Sequence, residues 1–183
     1  MRAARFLLVM ALLALPCAAL AADSLMMATS ADIRNSGLLE YLKPLALKET
    51  GITLTWLSTD AGTALEHGKN CDVDVLLVHA PDAELKMLEE AFVVDRRRVM
   101  YSDVVDAVRK DNRPPAVPIE GGGSLRRQYS VMTVNPAKCP KVRAALAKKF
   151  ADWWVCPSTQ NHIAAFKPEG RQLFFPNAAP PSR

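Results

Sequence analysis

Six hydroxyl side chains stand where two apolar runs give way to helical patterns: Thr29, Ser30 and Ser36 after "SLMMAT", and Ser58, Thr59 and Thr63 after "ITLTWL". A helix that starts beside such hydroxyls also offers free backbone N–H groups, and together they can hold an anion. The same residue types are the ordinary caps and turn formers, so spacing alone leaves a ligand site and plain turn chemistry both open. Other reactive types are scarce. His67, Cys71 and His79 form no compact Cys/His cluster of the kind that holds zinc. A Cys71 and His67 nucleophile pair lacks an assignable orienting acid or oxyanion hole. These residue types give no reason to expect a metal, a cofactor or a catalytic residue.

The elements that must position those hydroxyls alternate between short strands and helices. Strands are expected at Ser24 to Thr29, Ile52 to Leu57, Asp72 to Val78, Arg96 to Val108 and Gln128 to Val134. The unbroken apolar run from Val75 to Val78 suits a parallel strand covered on both faces. Between the strands come helical patterns at Ser36 to Gly51, Gly62 to Gly68 and Asp82 to Ala91. The first carries Leu38, Leu39, Leu42, Leu45 and Ala46 on one face, is capped by Asn35 or Ser36, and ends at Gly51. Pro44 is expected to bend or interrupt it. Later helices fall at Pro140 to Val155, burying Val142, Ala145, Leu146, Phe150 and a tryptophan of the Trp153–Trp154 pair, and at Ser158 to Phe166. Strand, helix, strand order predicts a three-layer α/β sandwich with a mostly parallel sheet. Ligands of such sheets bind outside the carboxyl ends of the strands, here the loops Ser30 to Asn35, Ser58 to Ala61 and His79 to Pro81.

The first residues set compartment and charge. "MRAARFLLVMALLALPCAALAAD" has Arg2 and Arg5, an apolar stretch from Phe6 to Leu15 and small residues at Ala19 and Ala21. It reads as a signal peptide over residues 1–21, hence an exported, periplasmic protein with no membrane span after cleavage. Its removal takes two arginines and no acid, so the formal charge of +4 falls to +2 and gives no reason to expect nucleic acid as a partner. The remaining 162 of 183 residues suit one domain, 22–183. Cys71, Cys139 and Cys156 are an odd number in an oxidising compartment, so at least one is free or pairs between chains. Cys139 and Cys156 cannot bond to each other if the helix between them forms, because its length is roughly 22 Å. "RKDNRPPAVPIEGGGSLRR", Arg109 to Arg127, has three prolines, three consecutive glycines and no periodicity, which predicts a linker or loop.

"SGLLEYLKPLALKETGI", "DVDVLLVHAPDAE", "VDRRRVMYSD", "VNPAKCP", "FADWW" and "QLFFPNA" together resemble the tungstate-binding components of ABC transporters, a branch of the type II periplasmic solute-binding proteins. These motifs follow in the family's order over most of residues 25–103 and 129–178. The resemblance implies a protein that closes two lobes on a tetrahedral oxyanion and delivers it to a membrane permease. In the family a whole second lobe lies between the "MYSD"-like segment and the strand before "VNPAK"; here only Asp106 to Gln128 lies there. The expected fold is thus a single lobe of the type II fold, with 109–127 in place of the other.

The family's hydroxyl-rich "TTTS" stretch falls on Thr29, Ser30, Ala31 and Asp32, and its "GTG" turn on Asp60, Ala61 and Gly62. The ligand set carried over is therefore Thr29, Ser30, Asp32, Ser36, Asp60, Gly62 and Thr63. Asp32 and Asp60 bring two carboxylates that would repel a divalent oxyanion in a site of low dielectric. The function implied is an exported solute-binding protein of a tungstate- or molybdate-like uptake system, with reduced or altered ligand binding. Its partners would be a small inorganic oxyanion and an ABC permease or another periplasmic protein. The alternative is a single-lobe protein-interaction module that no longer captures solute.

Overall fold

In a computed structural model, residues 23–103 and 126–179 are described; the expected signal peptide and nearly all of the expected 109–127 linker lie outside them. The chain runs β1 (Asp23–Ser30), α1 (Ala31–Ser36), α2 (Leu38–Thr50), β2 (Ile52–Thr59), α3 (Ala61–Lys69), β3 (Val75–Val78), α4 (Pro81–Glu89) and β4 (Val93–Asp103). After residue 125 follow β5 (Arg126–Val134), α5 (Ala144–Val155), α6 (Pro157–Ala165) and the two-residue β6 (Phe175–Pro176).

One six-stranded sheet has the order β2-β1-β3-β5-β4-β6. β1 pairs in parallel with β2 and with β3, as the expected neighbours, while β5 is antiparallel to both β3 and β4 and β6 is antiparallel to β4. Four of the six strands, β1 to β4, therefore point the same way. That direction brings the carboxyl ends of β1 to β4 and the start of β5 to one edge of the sheet.

Alternation along the strands sorts the core into two layers. Leu25, Met27, Val75, Leu77 and Val131 face α1, α2 and α5 in one buried cluster, and Ala28, Leu76, Val78 and Met132 face α3 and α4 in the other. Val75 to Val78 are all fully buried because both faces are covered, and each such side chain contributes about 1.5–3 kcal/mol on burial. Gly68 lets α3 lie against β3: a Cβ there would come within 2.8 Å of Leu76 Cδ1. Phe150, Trp153 and Trp154 pack on one another, and Trp153 Nε1 donates to Glu49 Oε2 at 2.8 Å, tying α5 to α2.

Several boundaries differ from expectation. Ser30 to Asn35 is not a loop, because β1 runs to Ser30 and α1 follows directly, closed by Gly37 at φ 80. Ser58 and Thr59 still belong to β2. Pro44 does not interrupt α2; it is exposed, as is Glu40, whose carbonyl it leaves without a donor from position 44. β5 begins at Arg126, inside the expected linker. The helix expected from Pro140 begins at Ala144, since the backbone N–H of Arg143 is held at 2.7 Å by Asp74 Oδ1 and the residues before it turn. Cys71 and Cys139 form a disulfide, with Cα atoms 5.4 Å apart, while Cys156 is free. Among the described residues, no helix is long and apolar enough to cross a membrane.

Candidate functional site

A cleft of about 430 Å3 opens at the edge where β1 and β4 end and β5 begins. Asp32, Asn35 and Ser36 line it from α1, Ser102 and Asp103 from β4, Arg127 and Tyr129 from β5. Glu169, Arg171, Leu173 and Phe174 close its other side. Three carboxylates thus meet two guanidinium groups, and the guanidiniums are already matched: Arg127 to Asp32 at 3.6 Å and Arg171 to Glu169 at 3.9 Å.

Asp32 is the centre of the arrangement. Its Oδ2 accepts the Tyr129 hydroxyl and lies 3.6 Å from the Arg127 guanidinium and 3.9 Å from His79 Nδ1. Its Oδ1 accepts the Ile33 N–H at 3.0 Å. Burial opposes ionisation of this carboxyl, but the neighbouring Ser30 and Tyr129 hydroxyls, the His79 ring and the Ile33 N–H outweigh it and hold the pKa below the ordinary value. Ser30 Oγ lies close enough to favour the charge, yet it makes no hydrogen bond of ordinary geometry and is sealed from solvent. For Tyr129 the same contact works in reverse, since burial and the adjacent Asp32 charge raise the phenol pKa and keep its proton in place. Burial lowers the pKa of His79, with Asp32 pulling upward and Arg127 pushing down. Its Nδ1 is buried without a hydrogen-bond partner, and the ring lies tilted against that of Tyr129, with centroids 5.1 Å apart.

The seven residues read from sequence fall into separate surroundings. Asp32 and Ser36 line the cleft, although Ser36 Oγ is engaged with the Ile33 carbonyl at 2.7 Å and accepts the Leu38 N–H at 3.2 Å. Thr29 is fully buried and donates to the Leu77 carbonyl at 2.7 Å. Asp60 and Thr63 make the cap of α3: the Asp60 carboxylate accepts the Thr63 N–H at 2.9 Å and its hydroxyl at 2.6 Å. Those two bonds hold the exposed Asp60 below the ordinary carboxylate pKa. Gly62 stands in the same turn, where a Cβ would approach Asp60 Oδ1 to 3.2 Å. α3 packs on the opposite face of the sheet from α1 and Asp60 does not line the cleft that Asp32 lines, although both acids leave the same sheet edge, where Ser30 and Thr59 are register neighbours.

Tyr129 and Arg127 were not singled out from sequence. Tyr129 stands 97 positions from Asp32, and only the antiparallel turn of β5 brings its hydroxyl to the end of β1. Arg96 and Arg97 are both paired with acids. Arg96 reaches the fully buried Glu84 at 2.8 Å, and Arg97 bridges Asp95 and Asp152. The disulfide removes Cys71 from any nucleophile or metal set with His67, whose Nδ1 lies 2.9 Å from Asp72.

Residues 18–120 match the family described as the PBP superfamily domain. The tungstate-binding protein TupA of Campylobacter jejuni is 46% identical over 235 residues, spanning 79% of this chain and 87% of that protein. This alignment is longer than the 183 residues of the chain, so it crosses a stretch of the relative that has no counterpart here. The tungstate-binding protein TupA of Peptoclostridium acidaminophilum is 39% identical over 85 residues, 46% of this chain and 30% of that one. Among solved structures, the tungstate-binding protein TupA from Desulfovibrio alaskensis G20 superposes with a TM-score of 0.73 at 29% identity, covering 86% of this chain and 100% of the other. With the sheet order, the edge cleft and these likenesses in agreement, the chain belongs to the PBP superfamily, among relatives that are tungstate-binding proteins.

Proposed function

We propose that the protein is the exported solute-binding component of an ABC-type uptake system for a tetrahedral oxyanion such as tungstate or molybdate, working as a single lobe with reduced affinity. The observation that carries this reading is the convergence of anion-binding groups at one sheet edge: the Tyr129 hydroxyl, the Arg127 guanidinium and the buried, unpartnered Ser30 hydroxyl and His79 Nδ1 surround one carboxylate. Strand ends of an open sheet are where such folds hold ligands. Donors from separate strands supply the multiple oriented hydrogen bonds that a compact oxyanion needs.

Reduced affinity follows from charge and from closure. The arginines at the cleft already face carboxylates, so an incoming anion must compete for them. A single lobe also cannot exclude water by closing on its ligand, and electrostatic attraction stays screened in a wet site. The natural partner is then a permease that accepts solute from this edge.

Calorimetric titration of the mature protein with tungstate, molybdate, sulfate and phosphate tests the reading. Weak but saturable heat with tungstate or molybdate, lost on Arg127→Ala, is expected. Absence of heat with every oxyanion would remove the solute-binding function.

A further inference from the structure

We propose that the Asp32 carboxylate is a tethered anion: it occupies the donor set at the sheet edge, so that a free oxyanion enters only by displacing the protein's own carboxylate. The proposal rests on the oxyanion reading of this edge and adds what regulates entry there. Three groups from two strand ends are gathered around the single atom Oδ2: the hydroxyl of Tyr129, the guanidinium of Arg127 at 3.6 Å and the imidazole of His79 at 3.9 Å. The Tyr129 hydroxyl donates to this oxygen while the guanidinium and the imidazole lie near it beyond hydrogen-bond distance, so one charged oxygen sits among three groups of the kind an oxyanion oxygen would draw on. Beyond this cluster Asp32 meets only its neighbours in sequence, the Ile33 N–H and the nearby Ser30 hydroxyl, so no other long-range fold contact explains a carboxylate here.

Two atoms show that the tethered group does not satisfy the whole set. Ser30 Oγ and His79 Nδ1 are both sealed from solvent without a hydrogen bond. A carboxylate offers two oxygens in one plane, whereas a tetrahedral anion offers four directed outward. The flat group therefore engages Tyr129 and leaves the remaining polar atoms short of a partner. Buried polar groups left in that state cost free energy, which a ligand able to reach them recovers.

The proposal makes charge at position 32, rather than shape, the barrier to binding. Tungstate is titrated calorimetrically into wild type, Asp32→Ser and the isosteric Asp32→Asn. Melting of wild type and Asp32→Ala is then followed with added formate, a free carboxylate. Both neutral variants that keep a polar side chain should bind tungstate at least about tenfold more tightly than wild type. Formate should raise the melting temperature of Asp32→Ala and leave that of wild type unchanged. Equal tungstate affinity in wild type and both variants would overturn the tethered-anion proposal while leaving the oxyanion reading intact. Formate rescue of Asp32→Ala without tungstate binding by any protein would support the tethered carboxylate and refute the oxyanion reading. Neither rescue nor binding would overturn both.

Discussion

Asp32 and Asp60 are the same residue type, each placed just after a strand of one sheet, yet their surroundings differ completely. Asp60 accepts from Thr59 and Thr63 and caps α3, an arrangement contained within five consecutive residues and open to solvent. Asp32 draws its partners from the residue that follows β3 and from β5, the farthest of them 97 positions away, and lies half-buried among them. A carboxylate whose contacts are local stabilises a helix start. One whose contacts are assembled by the fold can control a site. The two acids carried over together from sequence thus belong to different layers of the molecule and should respond differently to every perturbation.

The largest stability effect should come from the long-range contact. Tyr129→Phe removes a hydrogen bond to an ionised group and should lower stability by about 1.5–3 kcal/mol at neutral pH, read from chemical unfolding midpoints. A loss no larger than that of a surface substitution would mean that the Asp32 cluster is not held together by the phenol.

The pH dependence separates the two acids next. Both carboxyl pKa values are lowered, so each contributes stability that is present above the ordinary Asp value of 3.8 and is lost as pH falls through the lower folded value. Acid unfolding therefore cannot tell them apart. Alkaline unfolding can, because Tyr129 has a raised pKa: its contribution is full below the ordinary value of 10.0 and is lost as pH rises above it. Wild type should lose stability above that pH, and Tyr129→Phe should lose less. Tyrosinate absorbance should show one ionisation delayed until unfolding in wild type and absent from the variant. His79 adds a milder term below its ordinary value of 6.5, set by the groups around it, Asp32, Arg127, Glu84 and Tyr129. Since its folded pKa is lowered, that contribution declines as pH falls from about 6.5 downward.

The smallest effect should belong to the local acid. Asp60→Ala removes the α3 cap and should lower the melting temperature modestly, while Asp60→Asn, which can also cap, should restore most of it. Neither change should move the tungstate titration. A shift in tungstate affinity on Asp60→Asn would place the α3 cap in the site and give the two acids a shared role.

Much of the fold was legible because its signals are local. The apolar run Val75 to Val78, the helical spacing of Leu38, Leu39 and Leu42, and the glycine at Gly51 with φ 73 each act within a few residues. The β1, β2 and β3 neighbours follow from helical crossovers between them. The site was less legible. Ser30, Asp32 and Ser36 could be noted as polar residues at a strand end, but α1 was hidden in six residues too short to show a period. Arg127 lay at the border of a segment that reads as linker, and His79 drew notice only as the start of a loop at the strand ends and in a metal set that formed no cluster.

By itself the sequence determined the alternation of elements, the family and the set of strand ends that gather at one edge of the sheet. Those follow from periodicity, caps and ordered motifs, which act over short spans of chain. Only the tertiary structure decided which side chains share that edge. The reversal at β5 carries Tyr129 and Arg127 to Asp32, and α3 packs on the opposite face and takes Asp60 with it. The physical reason is that hydrogen bonds and charges act over a few ångströms of space, and residues 97 positions apart come within that range only after the sheet has set their register.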